Sequence, residues 1–298
     1  MARALAGGGL TLRVGPLVCL LRSPSRRLAR DFHAIYGAYP AAPENAWTHF
    51  VVSVDYTSRL RRFVRPKMAA YADFPAPFVP LPERLAFLAL EMAMNWQVAM
   101  GSNLYLLAHA ASVGDAYGRA VMMVGASGSG KSTLAAALGW SGWRFLGDEF
   151  VLLSLDKGLL HAFPRPISLK NDAIAVMRAA FPKAPFSRPF EGTAKGRIVY
   201  MTPPLDAVRE APPAMAPGLI LMPHFSPGAA PQARACPPAE TFGQIISASV
   251  NYGRLGAPAF HIVARLARAV PAYHIRYGDL AAGMALVAEL ARKHGEEG

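Results

Sequence analysis

The chain has 298 residues, of which 53% are hydrophobic and 17% charged, so it is not of the intrinsically disordered class and can build one large or two modest domains. Only Cys19 and Cys236 occur, far apart in the sequence, which argues against a disulfide framework or a cysteine metal site and favours a reducing cytoplasm. The net charge of +12 suggests nucleic acid or an acidic partner, but the basic residues are dispersed, and we expect no nucleic-acid partner.

The first 80 residues are predicted to form a small N-terminal α/β unit. The apolar run from Leu10 to Leu21 indicates a strand, and apolar residues then recur at helical spacing from Leu28 to Tyr36. Two further strands are predicted at 46–56 and 63–71, joined by a basic turn.

A proline-rich stretch at residues 75–82 marks a predicted boundary, which divides the chain into residues 1–80 and 81–298. A helix is predicted from Pro82 to about Met100, followed by a strand from Leu104 to Val113. No apolar run approaches the ~20 residues that a membrane span needs, and we expect no membrane partner.

The run from Gly125 to Thr133 satisfies the phosphate-binding loop pattern, with an apolar strand before it and a strong helix former after it. In such a loop, backbone N–H groups and the helix N-terminus surround phosphate oxygens, the lysine reaches the β/γ-phosphates, and the hydroxyl after it holds Mg²⁺. The alternative is a Gly/Ser-rich turn that fits by chance. The pattern predicts an ATP–Mg²⁺ site on Gly125, Ala126, Ser127, Gly128, Ser129, Gly130, Lys131, Ser132 and Thr133.

Two acidic residues, Asp148 and Glu149, follow the loop after only one short predicted helix and interrupt an apolar run that we interpret as a strand from Trp143 to Leu153. Carboxylates inside an apolar strand are costly unless they meet a metal or a proton. One acid is therefore predicted to hold Mg²⁺ and the other to accept a proton from an attacking hydroxyl. The alternative is a surface strand with two solvated acids.

The remaining chain predicts a hairpin turn at 156–158, a strand at 219–222, and the helices 259–270 and 280–293 with the strand 273–277 between them. Three histidines in this part lack metal-ligand spacing and are interpreted as structural: His224, His261 and His274.

A phosphate-binding loop, one short helix and then an acidic pair resemble the catalytic domain of HPr kinase/phosphorylase over about residues 103–155. His109 resembles the histidine that this family carries on the strand before its loop; its alternative is a histidine at the core edge bonded to backbone. Nearly the whole chain resembles the related group called HprK-related kinase A. The blocks that carry this resemblance are Gly147-Asp148-Glu149-Phe150, Phe163 to Asn171, Thr193-Ala194-Lys195-Gly196, Asn251 to Gly256, and Tyr277-Gly278-Asp279-Leu280.

The resemblance implies an α/β fold with a P-loop nucleotide-binding core of HPr kinase or phosphoenolpyruvate-carboxykinase-like type. The chain departs from HPr kinase in two places: the second acid is Glu149, and the segment Pro164 to Lys170 does not read like the Glu-Ile-Arg-Gly signature. We therefore expect neither HPr as acceptor nor the phosphorylase reaction. Its two prolines predict a rigid extended loop with the cations Arg165 and Lys170 near the γ-phosphate.

The function predicted from these features is transfer of the ATP γ-phosphate to a hydroxyl, and the resemblance implies a serine of an unidentified protein or peptide. The alternative is an ATP-binding regulatory or scaffold protein without phosphotransfer; a motor ATPase is disfavoured by the short spacing to the acids. A homo-oligomer is compatible with the sequence. The predicted catalytic residues are Lys131, Asp148, Glu149, His109 and Lys170, and the predicted Mg²⁺ ligands are Ser132 and Asp148.

Overall fold

A computed structural model describes residues 2–43, 46–75, 77–210 and 214–296, which form a mixed α/β fold with several sheets. The α-helices are α1 (Ala2–Ala6), α2 (Arg26–Tyr36), α3 (Ala86–Gly101), α4 (Lys131–Trp140), α5 (Asp172–Ala180), α6 (Leu205–Arg209), α7 (Pro238–Ala248), α8 (Tyr252–Leu255), α9 (Ala257–Ala269) and α10 (Leu280–Glu296). The strands are β1 (Leu10–Val14), β2 (Leu17–Arg22), β3 (Phe50–Tyr56), β4 (Lys67–Ala72), β5 (Leu81–Pro82), β6 (Tyr105–Ala108), β7 (Ala111–Gly114), β8 (Ala120–Met123), β9 (Arg144–Gly147), β10 (Val151–Ser154), β11 (Leu160–His161), β12 (Ile167–Lys170), β13 (Phe190–Thr193), β14 (Gly196–Met201), β15 (Pro217–Phe225), β16 (Gln232–Ala235) and β17 (Ala272–Tyr277).

The N-terminal part forms a five-stranded sheet in the order β1-β2-β3-β4-β5. The single strand predicted from Leu10 to Leu21 is wrong: Gly15 adopts a positive φ of 52°, and the run folds back as the antiparallel pair β1–β2. The predicted helix is confirmed as α2, which Ser25 caps by accepting a hydrogen bond from Leu28 N at 3.1 Å. Because β5 pairs with β4, this sheet includes residues on both sides of the predicted boundary, and the division into domains stays a prediction.

The largest sheet has six strands in the order β16-β17-β15-β8-β7-β9. Its centre, β17-β15-β8, is parallel, so the carboxyl ends of these three strands meet at one edge. Helices α4 and α10 pack on one face, and α7 and α9 pack on the other. The phosphate-binding loop candidate follows β8 at the carboxyl edge, which is where ligands bind in open α/β sheets.

Two smaller sheets have the orders β11-β10-β6 and β12-β14-β13. The single strands predicted at Leu104–Val113 and Trp143–Leu153 are therefore wrong, because each run is divided between two sheets. The chain leaves one sheet and enters the next at His109 in the first run and at residues 148–150 in the second. The predicted catalytic residues His109, Asp148 and Glu149 thus lie where the chain changes sheets.

Helix α3 connects the N-terminal sheet to the rest of the molecule. It packs against β3 and β4, while its Phe87 ring contacts Phe190 and Tyr200 of the β12-β14-β13 sheet at centroid distances of 5.7 and 5.2 Å. Its apolar residues are spread around the whole helix, as expected for a helix that is buried on several sides. Among the described residues, none of the helices has both the length and the apolar character needed to cross a bilayer.

Candidate functional site

The loop that precedes α4 contains three glycines in left-handed or related backbone conformations. Gly125, Gly128 and Gly130 have positive φ angles of 145°, 84° and 103°, conformations that side-chain-bearing residues rarely adopt. Lys131 is 5% exposed, and its Nζ donates to the carbonyl oxygens of Gly125 at 2.7 Å and Ala126 at 2.9 Å. Burial lowers the pKa of Lys131, against the opposing effect of Asp148. The ammonium group of Lys131 is therefore held over the loop by two neutral carbonyl oxygens. An anion bound in the loop could accept these hydrogen bonds in their place.

Ser132 and Asp148 are in direct contact at the N-terminus of α4. Ser132 Oγ donates to Asp148 Oδ1 at 2.8 Å, whereas Asp148 Oδ2 is buried without a hydrogen-bond partner. Burial first, and then the negative charge of Glu149, raise the pKa of Asp148 from 3.8 to about 6, although the bond from Ser132 acts in the opposite direction. At 2% exposure, Asp148 is not the solvated acid of the alternative interpretation. A serine hydroxyl and a carboxylate with a free oxygen are oxygen ligands of the type that Mg²⁺ prefers.

Glu149 lies beside Asp148 but in a different environment. Its φ of 72° is in the left-handed region, which is uncommon for a residue with a side chain. A cavity of about 30 Å³, enough for a water molecule, is lined by Glu149 together with Glu91, Asn95, Arg165, Pro166, Ser168 and Tyr200. Glu149 is half-buried, so the residue borders this cavity and is partly accessible to solvent.

His109 lies in the bend between β6 and β7 rather than within a strand. Its backbone N–H donates to Ala248 O at 2.7 Å, while its side chain is partly accessible to solvent. Partial burial lowers the pKa of His109, Glu149 opposes this effect, and the positive charges of Lys131, Lys170 and Lys195 lower it further. The predicted residues Lys131, Glu149 and Lys170 are therefore close enough to His109 for their charges to shift its pKa. Lys195, in the β13–β14 turn, is a further charge of this group.

The prediction for the segment Pro164 to Lys170 is wrong in part. Arg165 does not point to a phosphate: it is 1% exposed and forms an ion pair with Glu91 at 2.5 Å and a hydrogen bond to Asn95 at 2.8 Å. Tyr39 Oη fixes the segment further by donating to Pro164 O at 2.6 Å. The second half is the strand β12, which ends at Lys170. Of the two cations, Lys170 alone remains in the site.

Tyr277 is a residue of the site that the sequence did not assign to any role. It ends β17 at the carboxyl edge of the sheet, is 2% exposed, and its hydroxyl has no hydrogen-bond partner. A Cβ atom at Gly130 would collide with this hydroxyl, so the tyrosine packs directly against the loop. Ser129 Oγ in the same loop is also buried without a partner. Buried polar atoms without a partner call for an explanation, such as a bound ligand or a water molecule.

Contacts of the fold connect some of the blocks quoted for the family resemblance to elements that are far away in the sequence. Gly147 forms a bridge to Phe163, and the backbone N–H of Asn171 bonds to Arg197 O at 3.3 Å, beside the turn of Lys195. Asn251 is buried and accepts from Leu107 N at 2.9 Å, so it fixes the strand that leads to His109.

A cavity of about 680 Å³ lies away from this site. It is lined by the β7–β8 turn and by residues 141–144, at the opposite end of α4, and by Ala288, Ala291 and Arg292 of α10. It contains none of the predicted catalytic residues, and we base no function on it.

Comparison with protein-family models gives no match for this chain, and comparison with curated proteins gives none either. The resemblance to HPr kinase therefore rests on the quoted motifs.

Proposed function

We propose that the protein is an ATP-dependent kinase with an HPr-kinase-type nucleotide-binding core, which transfers the γ-phosphate of ATP to a hydroxyl group of a protein or peptide. The observation that carries the proposal is the contact between Ser132 and Asp148 Oδ1 at the start of α4, with Asp148 Oδ2 buried and unpaired beside it. A hydroxyl and a free carboxylate oxygen next to a glycine-rich loop fit Mg²⁺ bound to nucleotide phosphates.

The other residues of the site have complementary roles. ATP with Mg²⁺ supplies the activated phosphoryl group. Lys131, released from the carbonyls of Gly125 and Ala126, neutralises phosphate charge, as does the N-terminus of α4. Lys170 adds a second positive charge from the end of β12, which stabilises charge that develops during transfer.

Glu149 is the proposed base for the acceptor hydroxyl. It is half-buried next to Asp148, so part of the residue is accessible to an acceptor from solvent. Its negative charge favours the protonated form of the neighbouring His109, and the lysines oppose this. In this proposal Asp148 binds the metal and Glu149 accepts the proton. Two neighbouring carboxylates in different environments commonly have different roles in this way. HPr and the phosphorylase reaction are not part of the proposal, because the segment 164–170 departs from that family.

The first test is ATP binding in the presence of Mg²⁺, measured by calorimetry. Lys131→Ala removes a charge-assisted contact worth about 1.5–3 kcal/mol, so Kd rises by about 10- to 150-fold. The matched control is Lys157→Ala, an exposed lysine in the β10–β11 turn, which leaves Kd unchanged. Equal affinity of Lys131→Ala and the wild type would show that the loop assignment is wrong.

The second test separates the kinase from an ATP-binding regulatory protein. Incubation with γ-labelled ATP and cell lysate is expected to label an acceptor with the wild type but not with Lys131→Ala. Tight ATP binding by the wild type without labelled acceptor and without ATP turnover would favour the regulatory function.

A further inference from the structure

A second cluster of ligand-type side chains lies on the face of the six-stranded sheet opposite α4. Cys236 directly follows β16, Glu240 lies in the first turn of α7, and His274 lies in β17. One ligand atom from each residue, the thiol sulfur, a carboxylate oxygen and a ring nitrogen, lies within 4.8 Å of the other two. The sequence argued against a cysteine metal site and indicated a structural role for His274, because the fold and not the spacing brings these residues together.

Backbone contacts hold the three residues in place. Cys236 N donates to Ala272 O at 2.8 Å, and the antiparallel pairing of β16 with β17 sets Arg234 opposite His274. Helix α7 is held at its start by the buried Thr241, whose hydroxyl donates to Pro237 O at 3.0 Å. The fold therefore positions the three side chains before any ion binds. This lowers the conformational entropy that is lost on binding.

We propose that Cys236, Glu240 and His274 bind one divalent cation of the zinc class. A thiolate with an imidazole selects Zn²⁺ or Co²⁺ over Mg²⁺ and Ca²⁺, which prefer oxygen ligands. Tetrahedral coordination with bonds of about 2.0–2.3 Å requires ligand atoms about 3.3–3.7 Å apart, which small side-chain rotations achieve from the observed spacing. Three protein ligands leave a fourth position for water, and the side chains of His274 and Glu240, 29% and 37% exposed, leave a path for it.

Two other interpretations of the cluster agree less well with its geometry. In a nucleophilic cysteine site the imidazole would serve the thiol, but here His274 Nε2 and Glu240 Oε1 are hydrogen-bonded to each other at 2.6 Å. Ion pairing accounts for the positions of Glu240, His274 and Arg234, but it does not account for the buried Cys236 thiol beside them.

The proposal is tested on untagged, metal-free full-length protein titrated with Co²⁺ and then with Zn²⁺. Binding of one Co²⁺ per chain is expected to give a sulfur-to-cobalt charge-transfer band and the intense visible bands of tetrahedral cobalt, and Zn²⁺ is expected to abolish both. Cys236→Ser removes the charge-transfer band. Because loss of an outer-shell partner already costs about 10- to 100-fold in affinity, loss of a ligand is expected to weaken Zn²⁺ binding by at least about 100-fold.

The matched controls are Cys19→Ala, which removes the other cysteine, and His261→Ala, which removes an exposed histidine elsewhere. Both retain the cobalt spectrum and the Zn²⁺ affinity. If Cys236→Ser does not fold, as judged by circular dichroism, His274→Gln and Glu240→Gln replace it as tests, since both side chains are partly exposed. A cobalt band that survives in Cys236→Ser, or Zn²⁺ affinity equal in the wild type and the His274→Gln and Glu240→Gln variants, overturns the proposal.

Discussion

Replacing Asp148 by asparagine is expected to stabilise the protein when neither nucleotide nor metal is bound. The carboxyl is 2% exposed, and burial together with the nearby Glu149 raises its pKa from 3.8 to about 6. An acid whose pKa is higher in the folded state than in the unfolded state opposes folding once it ionises. The penalty is absent below about pH 4, grows between about pH 4 and pH 6, and is constant above that range.

The size of the effect follows from the shift. One pKa unit corresponds to about 1.4 kcal/mol, so a shift of about two units gives on the order of 3 kcal/mol at pH 7. Asparagine has nearly the same shape, and its side-chain oxygen accepts the bond that Ser132 now donates to Asp148 Oδ1. Its NH₂ group takes the place of Oδ2, where no partner lies, so the calculated gain is an upper bound. The unfolding entropy of a chain of this length is about 0.6 kcal/mol/K, so Tm rises by up to about 5 °C.

The assay is thermal and denaturant unfolding of the wild type and Asp148→Asn between pH 4 and pH 8, with a chelator present. The expected difference is near zero at pH 4 and reaches its full value by about pH 7. Asp156→Asn, which replaces an exposed acid in the β10–β11 turn, is the control and shows no such gain at pH 7. A gain that is the same at every pH, or a wild type that is the more stable protein at pH 7, refutes the reasoning.

Three further predictions concern neighbouring residues. Glu149→Gln is expected to bind ATP normally but to lose about 10²–10⁴-fold in turnover, the usual scale for a general base, whereas Glu289→Gln on the exposed side of α10 keeps full activity. Lys170→Ala is expected to lower kcat for phosphate transfer more than it weakens ATP binding, with the exposed Lys183→Ala as control; an effect on binding alone would contradict this. Arg165→Met is expected to cost about 3–5 kcal/mol in denaturant unfolding, because the Glu91 carboxylate would be left buried without its ion-pair partner; a loss below about 1 kcal/mol would contradict this.

Local patterns in the sequence predicted those parts of the fold that local interactions determine. The strand β8 and helix α4 lie on either side of the loop as the pattern indicated, and the hairpin turn at residues 156–158 connects β10 to β11 as predicted. Glycines, strong helix formers and turn residues influence the backbone conformation of only a few neighbouring residues. Their effect on secondary structure can therefore be predicted from a single sequence. The general α/β class followed from the same signals.

Features that depend on distant partners were not predictable in this way. An apolar run looks the same whether it stays in one sheet or crosses to another, so the divisions at His109 and at Asp148 were missed. Arg165 looked like a loop cation because its partner, Glu91, lies in the remote helix α3. The cluster of Cys236 with His274 was hidden for the same reason, since the pairing of β16 with β17 brings the two residues together.

The position of α3 has a consequence for dissecting the protein into fragments. The helix packs β3 and β4 on one side, and on the other it places Phe87 against Phe190 and Glu91 against Arg165. A fragment that begins at residue 81 would retain α3 but expose the apolar side that the first sheet covers, with Ala93 and Met94 as parts of the same buried cluster. Such a fragment is expected to aggregate, or to lose the ordered position of Glu91 and Asn95, the residues of α3 that line the cavity beside Glu149. Fragments designed to retain the candidate site therefore need to start at a residue before β1.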